Sequence, residues 1–122
     1  DGLYDEGTPI LKRAVQAASA HPPWWDYGLA LGNLMRDELR ESANAVAALS
    51  ASPRAHYRAL RLVVAQELGL DKEAESLLDQ MRRGNKNFVA DPLGFFQRGQ
   101  YPADLTERLM KSLTQAGLVD AS

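Results

Sequence analysis

Three arginines near the middle of the chain have a spacing that could bind an anion. On a helix they would share one face at i, i+4 and i+7, with a histidine close by: Arg54, Arg58, Arg61 and His56. Guanidinium groups donate paired hydrogen bonds that suit carboxylates and phosphates, so this face could clamp an acidic peptide terminus. The alternative is a solvated face whose arginines pair with acidic neighbours such as Asp71 or Glu75.

Two groups of aromatic residues could also bind a partner. Trp24, Trp25 and Tyr27 form the first group, and Trp and Tyr dominate the energetics of many protein interfaces. The alternative is that at least one tryptophan is a core residue between helix pairs. The second group could be an exposed patch or could close the end of a helical stack. Its members are Phe88, Phe95, Phe96 and Tyr101.

The residues that usually perform catalysis lack partners at useful spacings. His21 and His56 have no second ligand at metal-binding spacing, and the serines have no recognisable His/Asp partnership. Gly84-Asn85-Lys86 lacks the strand and the glycine spacing of a phosphate-binding loop. The sequence therefore predicts no catalytic site, no metal and no cofactor.

Composition favours one small helical domain. The chain has 122 residues, 45% of them hydrophobic, and a formal net charge of -2. Alanine and leucine are frequent, which favours helices over strands. The slightly negative charge argues against a nucleic-acid partner, and no apolar run is long enough for a membrane span. Cysteine is absent, which excludes disulfides and thiolate chemistry.

Apolar periodicity and turn residues predict about seven helices and no strands. The predicted helices span 8–20, 24–36, 39–49, 54–68, 72–81, 91–98 and 103–116. Thr8 would cap the first helix and Pro9 would take its first position, with residues 1–6 frayed or the stub of an earlier helix. That first helix would be half of a hairpin whose partner lies elsewhere. Gly28 and Gly32, four residues apart, indicate a close approach of another helix.

Internal repetition then connects two of the predicted helix pairs. Aligning Ser42-Ala43 with Glu73-Ala74 superposes 24–49 on 54–81, at an offset a little under that of a tetratricopeptide repeat. Gly69 precedes Ala74 by five residues, which is the spacing that a tetratricopeptide hairpin uses where its helices cross.

Three motifs make the resemblance more specific. The stretches His21–Trp25, Leu68–Ala74 and Leu109–Leu118 read HPPWW, LGLDKEA and LMKSLTQAGL. They resemble, in order, motifs of the tetratricopeptide-like region C-terminal to bacterial adenylate/guanylate cyclase domains and in related regulators. Departures are Glu38 at a turn position where glycine is usual, and Thr114 where the closing motif has arginine. No functional residues carry over, because the cyclase chemistry belongs to a separate domain.

These patterns predict an all-α fold, a short tetratricopeptide-like right-handed superhelix in a single domain, 1–122, with residues 91–119 capping it. The predicted function is a non-catalytic protein-interaction module, not an enzyme. It would hold a peptide or partner helix in a groove lined by 24–36 and 54–68. The alternative is a C-terminal scaffold, with a possible homodimer, that positions an upstream signalling enzyme such as a nucleotide cyclase. We expect a piece of a longer chain, since it begins at Asp1, and a cytoplasmic location.

Overall fold

The computed structural model describes residues 2–17 and 21–119, and within these ranges the chain is all-helical, as predicted. It divides into two compact units, Asp1–Ser52 and Pro53–Ser122. The first unit holds α1 (Gly2–Ala17), α2 (Pro23–Met35) and α3 (Leu39–Ala47). The helices of the second unit are α4 (Ala55–Leu68), α5 (Asp71–Gly84), α6 (Lys86–Ala90), α7 (Pro92–Arg98) and α8 (Ala103–Gln115).

Helix α2 is the centre of the first unit because both other helices of that unit pack against it. A Cβ added at Gly28 would lie 3.2 Å from Leu11 Cδ2, and one added at Gly32 would overlap the side chain of Thr8. These pairs run in opposite directions along the two helices, so α1 and α2 are antiparallel. The close approach predicted from the two glycines is confirmed, and α1 has its partner within this unit.

The start of α1 differs from the prediction. The helix begins at Gly2, so residues 2–6 belong to it, and Pro9 lies in its interior. Thr8 does not cap the helix; its side chain is 5% exposed and contacts α2. Tertiary packing therefore overrides the local capping signal. Residues 18–20, which the sequence places in the same helix, lie outside the described residues.

In the second unit, α4 and α5 form the predicted hairpin and α8 packs against α4. The core combines aliphatic side chains from α4, α5 and α8 with aromatic residues from α6 and α7. Its least exposed members include Leu60, Leu62, Val63, Leu77, Met81, Phe96, Leu109 and Leu113. The predicted apolar faces of 54–68, 72–81 and 103–116 thus become the core of this unit.

Helix α6 is absent from the sequence prediction, which treats residues 82–87 as a turn. Helix α5 continues to Gly84, three residues past Met81, and α6 starts two residues later at Lys86. Phe88 is the one buried residue of α6. A five-residue helix carries too little periodicity to be recognised. The described residues therefore contain eight helices instead of seven.

Two helix pairs share the same local geometry at an offset of 32 residues. Helix α2 starts at Pro23 and α4 at Ala55, and both end in a left-handed residue, Asp37 with φ 59° and Gly69 with φ 74°. The next amide in each pair bonds a carbonyl five residues back, from Glu38 to Asn33 at 2.8 Å and from Leu70 to Ala65 at 2.9 Å. This is the Schellman arrangement, in which a left-handed residue closes a helix.

The shared geometry corrects the predicted alignment by one residue. Ser42, instead of Ala43, corresponds to Ala74, and the turn position belongs to Asp37 instead of Glu38. Ser42 is fully buried, and its hydroxyl donates to the Ala30 carbonyl at 2.8 Å. Aspartate tolerates the left-handed conformation better than most residues, which explains a turn without glycine.

No helix in the described part of the chain is long and apolar enough to cross a membrane.

Candidate functional site

The predicted arginine face lies along α4, and two of its three side chains contact α5 or the residue after it. Arg58 Nη1 donates to Asn85 Oδ1 at 2.8 Å, and Asn85 Nδ2 donates to the Pro53 carbonyl at 3.0 Å. Arg61 Nη2 lies 3.9 Å from Glu73 Oε1, and its side chain is 15% exposed. Asn85 and Glu73 are therefore neighbours of these arginines, and Glu73 is an acidic residue of α5, the helix on which the expected neighbours Asp71 and Glu75 also lie. Arg58 and Arg61 contribute to the packing of α4 on α5.

His56 lies beside the arginines and belongs to an aromatic contact. Its ring centroid is 4.3 Å from that of Tyr57 and 5.9 Å from that of Phe95, the latter stacked. Burial lowers the pKa of His56 below its ordinary value of 6.5, and the charge of Arg54 lowers it further. The neutral imidazole is therefore favoured, which suits a stacked position more than the binding of an acidic ligand.

The predicted tryptophan cluster is on the first unit and is only partly buried. Trp24 is 62% exposed, so it is not a core residue. Trp25 contacts Trp24 edge to face at 5.9 Å and stacks on His21 at 5.8 Å. His21 Nε2 is 2.8 Å from Asp26 Oδ2. Tyr27 is the buried aromatic residue of this segment, at 9% exposure.

The second aromatic group forms part of the core of the second unit. Phe88 is 5% exposed and Phe96 is 1% exposed. Phe88, Phe95 and Phe96 contact one another edge to face with centroids 5.1–5.8 Å apart. Tyr101 joins them at 5.0 Å from Phe96. Of the two alternatives for this group, an exposed patch does not describe Phe88 and Phe96, which are buried, while Phe95 and Tyr101 are half-buried.

An open groove between α7 and α8 is the concave surface that the sequence analysis missed. Its volume is about 760 Å³. One stripe of α8 and two residues of α7 line it, together with Tyr101 between the helices. The lining residues are Leu93, Gln97, Tyr101, Ala103, Thr106, Glu107, Met110, Lys111, Thr114 and Gln115. Apart from Glu107 and Lys111 these side chains are uncharged, so a partner would meet apolar and neutral surface with two charges.

The lining follows directly from the amphipathic pattern of α8. Leu105, Leu109 and Leu113 recur every four residues and are buried in the core. The groove stripe of α8 also recurs at three- and four-residue spacing, with Met110 as its largest apolar side chain. Helix α8 therefore has two distinct faces: one packs against α4 and the other lines the groove. The second face is less apolar, which is why sequence periodicity did not reveal it.

A half-buried ion pair fixes α8 on α4. Arg108 donates to Glu67 through Nη2 at 2.6 Å and through Nε at 3.3 Å. Ser112 Oγ donates at 2.8 Å to Glu67 Oε2, the oxygen that also accepts from Arg108 Nε. The side chains of Glu67 and Arg108 are 18% and 23% exposed. A bidentate contact of this kind fixes direction as well as distance, so it sets the position of the groove stripe.

Among the described residues, His, Asp and Glu side chains form no group of three or more that could hold a metal ion. Comparison of the chain with protein-family models, with curated proteins and with solved structures finds no match.

Proposed function

We propose that this chain is a non-catalytic protein-interaction module that binds a partner helix in the groove between α7 and α8. The observation that carries the proposal is the groove itself, about 760 Å³ and open along one side. Leu93 is 42% exposed and lies at the edge of this groove, beside Tyr101 and Met110. Exposed apolar side chains that border a concave surface are typical of sites that a partner covers.

The shape of the groove favours a helix as the ligand. Its α8 side runs from Ala103 to Gln115, which at 1.5 Å per residue is about 18 Å, or three to four helical turns. A ligand helix would place apolar residues at i, i+3, i+4 and i+7 against Met110, Tyr101 and Leu93. Its polar face would remain in solvent, with Glu107 and Lys111 free to pair with charges of the ligand.

The tetratricopeptide-like character of the chain is a second part of the proposal. The 32-residue offset between α2–α3 and α4–α5 supports it, as do the small buried residues Ser42 and Ala74 at corresponding positions. Modules of this type commonly bind peptides or helices, and the groove here would belong to the C-terminal helices.

The arginine face remains a predicted second site for an acidic peptide. A ligand carboxylate there would compete with Asn85 for Arg58 and with Glu73 for Arg61. Both contacts hold α4 to α5 or its C-terminal end, so a triple alanine variant would lose stability as well as any anion affinity. The groove is therefore the better-supported site.

The experiment is a selection of ligands followed by matched binding assays. A phage-displayed library of amphipathic helices of about 14 residues, long enough for about 21 Å, is selected on the wild-type chain. We expect the enriched peptides to bind with micromolar Kd, and Met110→Glu and Leu93→Glu to weaken them about tenfold or more.

Ile10→Glu is the matched control, because Ile10 is 59% exposed on α1 and does not line the groove. Circular dichroism confirms that each variant stays folded. The proposal would be contradicted if the selected peptides bound the wild-type chain and all three variants equally. A library that yields no binders would also contradict it.

A further inference from the structure

Two opposite charges on the groove stripe of α8 have no partner within the described chain. Glu107 and Lys111 are both exposed and lie one helical turn apart, and neither side chain takes part in an ion pair or hydrogen bond among the described residues. Arg108 is also a charged residue of α8, but it faces α4 and is already bound to Glu67. The groove therefore presents one acid and one base that a partner could neutralise together.

The order of these charges makes the stripe complementary to itself. When two identical helices pack antiparallel about a two-fold axis, each flank of one helix faces the same flank of the other. The two sequences run in opposite directions there, so a residue before the axis faces the residue equally far beyond it. An axis level with Leu109, midway between residues 107 and 111, brings Glu107 opposite Lys111 of the second copy, and the reverse contact follows by symmetry. A parallel pair would instead bring like charges together.

The same register also matches the rest of the stripe. Ala103 and Gln115 are equidistant from Leu109, so the small side chain of one copy meets the longer side chain of the other. Met110 is one residue from the axis, about 1.5 Å along the helix, so it would lie beside its counterpart. Apolar contact at the centre with ion pairs at the flanks is the usual composition of a helix interface.

We propose that the partner helix in the α7–α8 groove is α8 of a second copy of this chain, packed antiparallel with Glu107 paired to Lys111. This inference rests on the proposed function, because it identifies the occupant of the same groove. Each copy also supplies Leu93 and Tyr101 from the groove walls. The contact area of two helices is small, so the dimer is expected to be weak, with Kd of about 10–100 µM.

Sedimentation velocity over a concentration series from about 1 to 300 µM tests this, since that range brackets the expected Kd. We expect the wild-type chain to shift from monomer to dimer. Glu107→Lys and Lys111→Glu each place like charges opposite one another and should weaken the dimer about tenfold. The double variant with both changes restores opposite charges and should return the Kd to near the wild-type value.

Matched charge reversals on α5 are the controls. Glu75 and Lys72 are exposed and lie outside the groove, so Glu75→Lys and Lys72→Glu should leave the dimer unchanged. These α5 variants change the net charge of the chain by the same amounts as Glu107→Lys and Lys111→Glu do. Changes in Kd as large in the α5 variants as in the groove variants, or no recovery of the Kd in the double variant, would overturn the register.

Disulfide trapping provides an independent measurement because the chain contains no cysteine. Met110→Cys should give a covalent dimer on mild oxidation, since residue 110 lies beside its counterpart near the axis. Ser76→Cys, exposed on α5, should remain monomeric under the same conditions. Equal trapping at both positions would contradict the antiparallel contact.

The two proposals fail in different ways. A wild-type chain that stays monomeric at about 300 µM, above the expected Kd, but binds selected helices in the groove overturns the dimer and leaves the interaction module intact. A dimer insensitive to Met110→Glu overturns the dimer proposal, since it would lie elsewhere. A monomer that also binds no helix overturns both. Competition between selected helices and the dimer supports both.

Discussion

Glu67 is the polar residue that connects α4 to α8 in the second unit. Its carboxylate accepts hydrogen bonds from Arg108 and Ser112, and Ser112 is 3% exposed. Glu67→Ala would remove the acceptor of the buried Ser112 hydroxyl and the bidentate contact with Arg108. Because an unpaired polar group in such a position is costly, we expect the free energy of unfolding to fall by about 2–3 kcal/mol. Urea unfolding followed by circular dichroism measures it.

The pair between Arg83 and Asp79 is the matched control for this prediction. These side chains are 74% and 61% exposed and lie one turn apart on α5. Solvent screens such pairs, so Asp79→Ala should change the free energy of unfolding by less than about 0.5 kcal/mol. Similar losses for Asp79→Ala and Glu67→Ala would show that the α4–α8 contact contributes no more to stability than an exposed ion pair does.

His56 should make the stability of the second unit depend on pH. Its pKa is lowered in the folded chain, first by burial and then by Arg54, so the unfolded chain binds a proton more readily. The contribution of His56 to the free energy of unfolding is therefore complete above its ordinary pKa of 6.5. That contribution is lost as the pH falls below 6.5 and through the lowered pKa of the folded chain. Urea midpoints at about pH 7.5 and about pH 5.5 measure this loss.

His56→Gln provides the comparison, because glutamine is polar but does not titrate. The carboxylates contribute equally to both proteins, so their effect cancels in the difference. We expect the wild-type chain to lose more stability on acidification than the variant. Equal losses would show that His56 is protonated equally easily in the folded and unfolded chain.

The candidate residues illustrate what sequence spacing reveals about a site. Arg58 and Arg61 lie on α4, as their spacing predicts, whereas Arg54 is the extended residue that precedes the helix. Spacing within one helix does not show which residues of another helix lie nearby, so it missed Asn85 as the partner of Arg58. The same limit applies to Glu67 and Arg108, whose contact depends on how α8 returns to α4.

At the scale of the element, the contact between α1 and α2 depends on a missing side chain. A Cβ at Gly32 would overlap Thr8, a short and buried side chain with little room to move. Gly32→Ala should therefore destabilise the first unit by about 1–3 kcal/mol, despite the better helix propensity of alanine. Thermal unfolding measures the effect, and adding Thr8→Ala should recover part of the loss.

Gly7→Ala is the control for helix propensity. Gly7 is also inside a helix, but no atom lies within 4 Å of an added Cβ. Alanine there should stabilise α1 by about 0.5–1 kcal/mol. A gain in stability at both positions would contradict the close packing of α1 on α2.

The long helices could be predicted because their buried faces repeat strictly. Leu105, Leu109 and Leu113 predict α8, and all three are buried. The start of α1 could not be predicted, because a proline such as Pro9 commonly takes the first position of a helix and here lies within one. Helix α6 could not either, since Phe88 is its one buried residue.

At the scale of the whole molecule, the second unit should fold without the first. Residues 53–122 contain their own core, with aliphatic side chains from α4, α5 and α8 and the aromatic contacts of α6 and α7. Domains of this size often fold alone. We expect residues 53–122 to give a helical circular dichroism spectrum and a single cooperative urea transition. A non-cooperative transition would show that this unit needs the rest of the chain.

The groove is a property of the assembled unit, and this explains why sequence reasoning could not find it. Leu93 and Met110 each appear in the sequence as part of an amphipathic pattern. Whether α7 and α8 lie close enough to share a groove depends on the core beneath them, including Phe96 and Tyr101. Fold class follows from local pattern, whereas concave surfaces follow from distances between elements.

The contact between Glu67 and Arg108 has a consequence for the order of folding. It joins residues 41 apart in sequence, whereas the α4–α5 hairpin closes through a short turn. Closing the longer segment costs more chain entropy, so the hairpin forms early and α8 docks late. By the same reasoning, we expect α8 to detach before the α4–α5 hairpin opens. The groove therefore exists only for the lifetime of the docked helix, and a ligand that fills it would slow that detachment.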